Sequence, residues 1–305
     1  MRLKNKSTIK IKKLAGIDIG SNAIRLLVAN VITEDNGNNV YFSKSALVRV
    51  PIRLGADSFI KGEISESNKQ RMIKAMKAFK LLMEVHGVSD YYACATSAMR
   101  DASNGIEVAN TIFEKTKVKI NIIDGKKEAA IIFSTDLSNI IEKNKSYLYV
   151  DVGGGSTEIT IFSNGKIINS KSFKIGTVRL LNKEKSFQHV WKSMEIWIKE
   201  NSKNLKNINL IGSGGNINKL FKLSGKPLGA PLSLSYIESR FQFLKQMTYE
   251  ERIKNLDLNP DRADVIIPAT KIYLNAMKWS GARKIYVPKI GLADGIVKSL
   301  YYKQL

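Results

Sequence analysis

Tyr147-Leu148-Tyr149-Val150-Asp151-Val152-Gly153-Gly154-Gly155-Ser156-Thr157-Glu158-Ile159 decides how this chain is read. The run from Tyr147 to Val152 is apolar and β-prone, broken only by Asp151. Three glycines follow, then two hydroxyls, Glu158 and the run Ile159-Thr160-Ile161-Phe162. The pattern predicts strand, tight turn, strand. A carboxylate ending a buried strand needs a positive partner, because an unpaired buried charge is costly. A divalent cation is one such partner. Glycines without side chains let backbone N–H groups close around an anion. Ser156 and Thr157 add hydroxyl donors. One hairpin thus offers an acidic metal anchor beside a phosphate cradle.

The same grammar stands near the N-terminus, in Leu14-Ala15-Gly16-Ile17-Asp18-Ile19-Gly20-Ser21-Asn22-Ala23-Ile24-Arg25-Leu26-Leu27-Val28-Ala29. Asp18-Ile19-Gly20-Ser21 parallels Asp151 to Ser156. Two such hairpins far apart in the chain predict two related domains facing one phosphate-bearing ligand, a repeat at domain scale.

At 305 residues the chain exceeds the usual single core, which agrees with two domains. Lys and Arg number 49 against 27 Asp and Glu, a net charge of 49 − 27 = +22. That surplus calls for an anionic partner. Nucleic acid is not expected, because the basic residues are not interleaved with aromatic stacking platforms and no zinc finger is present. Cys94, the single cysteine, excludes an intramolecular disulfide and fits a reducing cytoplasm. The N-terminus is basic (Arg2, Lys4, Lys6), but no apolar signal run follows. Asp18, Asn22 and Arg25 interrupt the stretch from Ile17 to Val28, so neither signal peptide nor membrane span is expected.

Around the hairpins the periodicity predicts a strand over Tyr41–Val50, limited by Pro51. A helix capped by Ser65 follows, with Met72, Ile73, Met76, Phe79, Leu82 and Met83 on its apolar face. Strand Tyr91–Ala95 runs into Thr96-Ser97-Ala98-Met99-Arg100, where a helix start presents N–H groups and hydroxyls to an anion and Arg100 can clamp phosphate. Glu128 falls in the first turn of a helix after Asp124-Gly125, placed to act as a general base. A third glycine turn, Gly212-Ser213-Gly214-Gly215, lies between strand and helix. One further helix is expected from Pro260 to about Trp279. His86 and His189 have no metal-ligand spacing.

These blocks, in this order, resemble the exopolyphosphatase / guanosine pentaphosphate phosphohydrolase family of the actin-like ATPase superfamily. The matching blocks are Asp18–Arg25, Thr96–Arg100, Glu128-Ala129, Asp151–Glu158, Gly176-Thr177-Val178-Arg179-Leu180, Gly212–Gly215, Arg262-Ala263-Asp264 and Gly291–Gly295. The resemblance implies an α/β fold of two ribonuclease-H-like domains flanking a cleft, over 1–126 and 127–305, with the terminal helix packing back on the first. It implies hydrolysis of a terminal phosphoanhydride with Mg²⁺ or Mn²⁺. Carried over, Glu128 is the base that activates water. Asp151 and Glu158 are acids of the metal site, joined by Asp18. Gly20, Ser21, Asn22 and Arg25 form the first phosphate loop. Gly153, Gly154, Gly155, Ser156 and Thr157 form the second, with Thr96, Ser97, Arg100, Gly214 and Gly215 completing the phosphate contacts. The substrate is polyphosphate or guanosine pentaphosphate; a non-catalytic regulator binding either, and a sugar or acid kinase of the superfamily, are the other readings. A homodimer is compatible with the family. Two positions depart from the family pattern. Lys127 stands where a second acid is common, and Ala293-Asp294 stands where Arg-Glu is usual. The chain stops where longer members continue into helical domains, which implies a short two-domain form.

Overall fold

The computed structural model describes residues 9–34, 39–133, 142 and 144–305, the side chains of 182–185 excepted. Arg2, Lys4 and Lys6 lie outside the described residues. Eleven strands among them form two sheets. The first contains β1 (Ile9–Ile19), β2 (Ile24–Glu34), β3 (Val40–Val50), β4 (Asp90–Ala95) and β5 (Ile120–Ile122), in the order β3-β2-β1-β4-β5. β1, β2 and β3 are antiparallel neighbours; β4 and β5 run parallel to β1. The second contains β6 (Ser146–Val152), β7 (Thr157–Ser163), β8 (Lys166–Phe173), β9 (Asn209–Ser213), β10 (Leu232–Ser233) and β11 (Lys284–Tyr286). Its order, β10-β11-β9-β6-β7-β8, repeats the meander-plus-parallel pattern and adds an edge strand. This is the expected pair of ribonuclease-H-like sheets.

Both faces of each sheet are covered, which is why the central strands read as continuous apolar runs. On β1, Ala15, Ile17 and Ile19 point to the core under helices Glu66–Val85 and Gly105–Thr116. Leu14 on the other face meets Ala293 and Val297 of the last helix, Leu292–Tyr301. The second sheet packs its outer face on helices Gln188–Ser202 and Ile266–Ser280. Its inner face, Tyr147, Tyr149 and Phe162, takes Ile131 and Ile132 of helix Gly125–Phe133. The two inner helices then meet each other. A Cβ on Gly295 would stand 2.1 Å from the Ile131 carbonyl oxygen. That close approach fixes the depth of the helix carrying Glu128.

The structure departs from the periodicity at three points. The helix expected from Pro260 to Trp279 is two, Pro260–Ala263 and Ile266–Ser280, and the carboxylates of Asp261 and Asp264 beside the interruption pair with Arg49 and Arg53. The strand limited by Pro51 is followed at once by a helix, Leu54–Lys61; Arg53 turns the chain with φ of 62°. The first hairpin also extends beyond the stretch Leu14–Ala29, because β1 and β2 stay paired out to Ile9 and Glu34.

Gly295→Ala is expected to destabilise the fold by about 1–3 kcal/mol, the cost of overpacking a closed contact, read as a lower urea midpoint. An unchanged midpoint would show that the inner helices have room to part.

Candidate active site

The two glycine hairpins meet at their turns. A Cβ on Gly154 would lie 2.8 Å from Ser21 Cβ and 3.6 Å from Asn22 N, so only glycine allows this approach. Each turn is closed from within: Gly20 N donates to Ala23 O at 3.2 Å, and Gly153 N donates to Ser156 O at 3.0 Å. The N–H groups of Ser21, Asn22 and Gly154 donate to no protein acceptor among the described residues. They line a cavity of about 240 Å³ between the domains. Gly20, Arg25, Thr96, Ser97, Gly153 and Ser156 also line it. So does the third turn, where Gly214 takes φ of 117° and Gly215 opens helix Gly215–Leu223. Ser21 and Ser97 hydroxyls bond each other at 3.0 Å.

Asp18, Glu128 and Asp151 line the same cavity. Register places Asp18 opposite Arg25 and Asp151 opposite Glu158. The first pair is complementary: Arg25 Nη1 donates to Asp18 Oδ2 at 2.5 Å. The second is a pair of like charges in a dry place. Burial, then Glu158 and Asp18, push the Asp151 carboxyl up to about 7. Burial pushes Glu158 up too, against hydrogen bonds from Ser156 and Ser172. Glu128 is raised well above the usual carboxylate range by burial, then by Glu158, Asp151 and Asp18, with Arg100 opposing. Its Oε2 is buried without a hydrogen-bond partner. Such a site is poised to take up a proton or a cation.

Four expected residues are not brought to the cavity. Thr157 is fully buried and donates its hydroxyl to Ile175 O at 2.6 Å. Gly155 serves close packing; a Cβ there would lie 2.2 Å from the Phe59 ring. Arg100 donates through Nη1 to Ile123 O at 2.8 Å, and reaches the acids only as a field. Glu158 accepts from Ser172 Oγ at 3.0 Å and lines a separate, mostly apolar cavity of about 140 Å³. Asp18 is present, but Arg25 already balances its charge.

Other cations were not foreseen. Lys44, Arg49, Arg262 and Lys289 line the cavity. The Arg262 guanidinium makes no hydrogen bond or ion pair among the described residues; it stands 3.3 Å from where a Gly215 Cβ would be. Burial, then Arg49 and Arg25, pull it down to about 10, which leaves it charged at neutral pH. Arg262 belongs to the block Arg262-Ala263-Asp264, whose sequence alone assigns it no role; Arg49 lies on a strand whose alternation gives no hint of the cleft. Both departures from the family pattern are accommodated. Lys127 sits over the Tyr92 ring at 5.9 Å. Asp294 pairs with Lys44 at 2.7 Å and accepts from Gly291 N at 3.0 Å.

No group of three or more His, Cys, Asp or Glu among the described residues forms a ready metal cage. Mg²⁺ does not need one, since it is commonly held by one or two carboxylates with phosphate and water. Asp151, raised first by burial and then by Glu158 and Asp18, suits that arrangement, with the orphaned oxygen of Glu128 in the same cavity.

The family model described as Ppx/GppA phosphatase family matches residues 34–304. The chain belongs to the Ppx/GppA phosphatase family. Its relatives include the bifunctional 3-dehydroquinate synthase/phosphatase of Fusobacterium nucleatum, 32% identical over 90% of this chain; this chain spans 44% of that protein's length. A protein of Haemophilus influenzae named as a putative exopolyphosphatase is 21% identical over 95% of this chain and 92% of its own length. The crystal structure of an exopolyphosphatase from Cytophaga hutchinsonii superposes with a TM-score of 0.84 at 23% identity, covering 96% and 98% of the two chains. Family members named exopolyphosphatase are phosphoanhydride hydrolases. No helix among the described residues is long and apolar enough to cross a membrane.

The Asp151 carboxyl holds its proton more tightly folded than unfolded, with its pKa raised from 3.8 to about 7. The stability it contributes is therefore full below about pH 4 and lost as pH rises through about 7. Metal-free Asp151→Asn is expected to melt several degrees above wild type at pH 8, with the gap closing near pH 4. A gap independent of pH would refute the raised carboxyl.

Proposed function

We propose that this chain is an exopolyphosphatase that hydrolyses the terminal phosphoanhydride of inorganic polyphosphate and releases orthophosphate. The observation that carries this is a buried, partnerless carboxylate oxygen on Glu128 in one cavity with unused backbone N–H groups and an unpaired Arg262. Donors aimed at a phosphoryl group, with a base beside them, are the parts a phosphoanhydride hydrolysis needs.

The N–H groups of Ser21, Asn22 and Gly154 hold the terminal phosphoryl group. Arg262, with Lys289, holds the phosphates behind it. Glu128 orients a water and accepts its proton as the water oxygen bonds to phosphorus and the bridging P–O bond breaks. The electrons of that bond leave with the shortened chain as a phosphate oxyanion, which Arg262 neutralises. Mg²⁺ or Mn²⁺, held by Asp151, would neutralise charge on the transferred group. The net charge of +22 steers a polyanion to the cleft.

One observation favours a nucleotide instead. Asn216 and Asn218, at the start of helix Gly215–Leu223, line the cavity with buried Oδ1 atoms that lack partners. Amide acceptors want N–H or O–H donors, which a base or ribose has and polyphosphate lacks. Guanosine pentaphosphate is that second reading.

Phosphate release with Mg²⁺ from long polyphosphate, short polyphosphate and guanosine pentaphosphate tests these readings. Glu128→Gln is expected to lower kcat about 100-fold or more and to abolish the acidic limb of the rate profile, which in wild type lies above the ordinary carboxylate range. Release that Glu128→Gln leaves intact would remove Glu128 from the reaction; no release by wild type from any substrate would favour a regulator. Arg262→Met is expected to raise KM for polyphosphate about tenfold, the worth of a charge-assisted contact, and to flatten its dependence on salt. An unchanged KM would place the polyanion elsewhere.

A further inference from the structure

We infer that Asp261 is a positioning residue for this reaction, tying the first phosphate-binding turn and Arg49 to the far wall of the cleft. The inference rests on the hydrolase reading above. Asp261 is buried in the short helix Pro260–Ala263. Asn22 Nδ2 donates to its backbone carbonyl at 2.9 Å and to its Oδ2 at 3.2 Å. Arg49 donates through Nη1 to Oδ1 at 3.3 Å and through Nη2 to Oδ2. Every one of these bonds crosses from the first sheet's half of the chain to the second's.

Two consequences follow for the chemistry. First, both amide hydrogens of Asn22 are used, so its side chain has no donor left for a phosphate. Asn22 acts as a strut. The turn it belongs to is also held from the other side, where Gly55 N donates to Ser21 O at 2.8 Å and Arg53 N to Asn22 O at 3.0 Å. Gripped from both walls, the free N–H groups of Ser21 and Asn22 keep a fixed aim, which is what electrostatic stabilisation of a transferring group requires. Second, Arg49 lines the cavity but is neutralised by Asp261, whereas the adjacent Arg262 is left unpaired. Asp261 thereby limits how many cations grip the resting polyanion. Binding that is equally strong before and during reaction does not raise kcat.

Asp261→Asn tests this. Its amide keeps the volume but offers one acceptor to three donors, Asn22 Nδ2 and Arg49 Nη1 and Nη2. Arg53 still pairs with Asp264 at 2.6 Å, so the two halves stay linked. The expected result is a lowered kcat together with a KM for polyphosphate lowered severalfold, because the turn keeps only the Asn22 bond to the 261 backbone carbonyl while Arg49 is released to the substrate. Loss of folded enzyme would lower kcat and leave KM alone, so the joint fall separates positioning from damage. In an Asn22→Ala/Arg49→Met background, Asp261→Asn should change neither constant. An unchanged kcat, a KM unchanged or raised, or a full effect in that background would each overturn the inference. Equilibrium binding of polyphosphate to Mg-free protein gives an independent readout, expected tighter for Asp261→Asn. Equal or weaker binding overturns the role of Asp261 whatever the turnover. A wild type that binds polyphosphate but releases no phosphate refutes the hydrolase reading instead.

Discussion

Two backbone turns from opposite halves of the chain pack where the second tolerates no side chain. Gly154 lies against Ser21, and Gly176 lies against Gly154, with a would-be Cβ only 2.5 Å from the Gly154 carbonyl. Everything else in the cleft depends on that approach. It leaves the N–H groups of the turns pointing into one small volume. It also brings Asp18, from the first hairpin, near Asp151 and Glu158, from the second. Close-packed backbone has few ways to relax, so the resulting repulsion is expressed as proton affinity rather than as movement.

The arginines are the counterweight. Arg25 balances Asp18, Arg49 and Arg53 balance Asp261 and Asp264, and Arg179 pairs with Asp101 across the cleft. Buried pairs of this sort add little net stability, since desolvation offsets attraction. What they supply is register: Arg49 with Asp261, Arg53 with Asp264 and Arg179 with Asp101 each join one half of the chain to the other and fix how the halves sit together. Arg262 stands outside this pairing, and its surplus charge is the clearest mark of where an anion belongs.

The fold was legible because both hairpins carry local signals, glycine turns between apolar strands, that survive any tertiary context. Glu128 was legible for a similar reason, as a first-turn acid after Asp124-Gly125. The residues misjudged are those whose role is set by what lies across a sheet or cleft. Thr157 follows the glycine turn in sequence, but strand pairing turns its hydroxyl to Ile175. Asn22 looks like a phosphate donor until Asp261, more than two hundred residues on, takes both its hydrogens. Arg49 could not have been found by alternation, because its partner lies beside a break in a helix that the periodicity draws as continuous. Spacing reports neighbours along the chain; it carries no information on how two domains face each other.

The last helix has a consequence for synthesis. Leu14, Leu27, Ala29 and Val31 on the inner face of the first sheet are covered by Ala293 and Val297. Glu128 rides on a helix whose depth is set by Gly295. A ribosome therefore emits the first sheet long before the segment that shields it. The nascent first half must hold an apolar face open until the helix Leu292–Tyr301 emerges, a contact of very long range that slows folding and exposes the chain to aggregation. Assembly of the cleft waits on that helix, so chains cut short of it carry both glycine turns without a finished cleft between them.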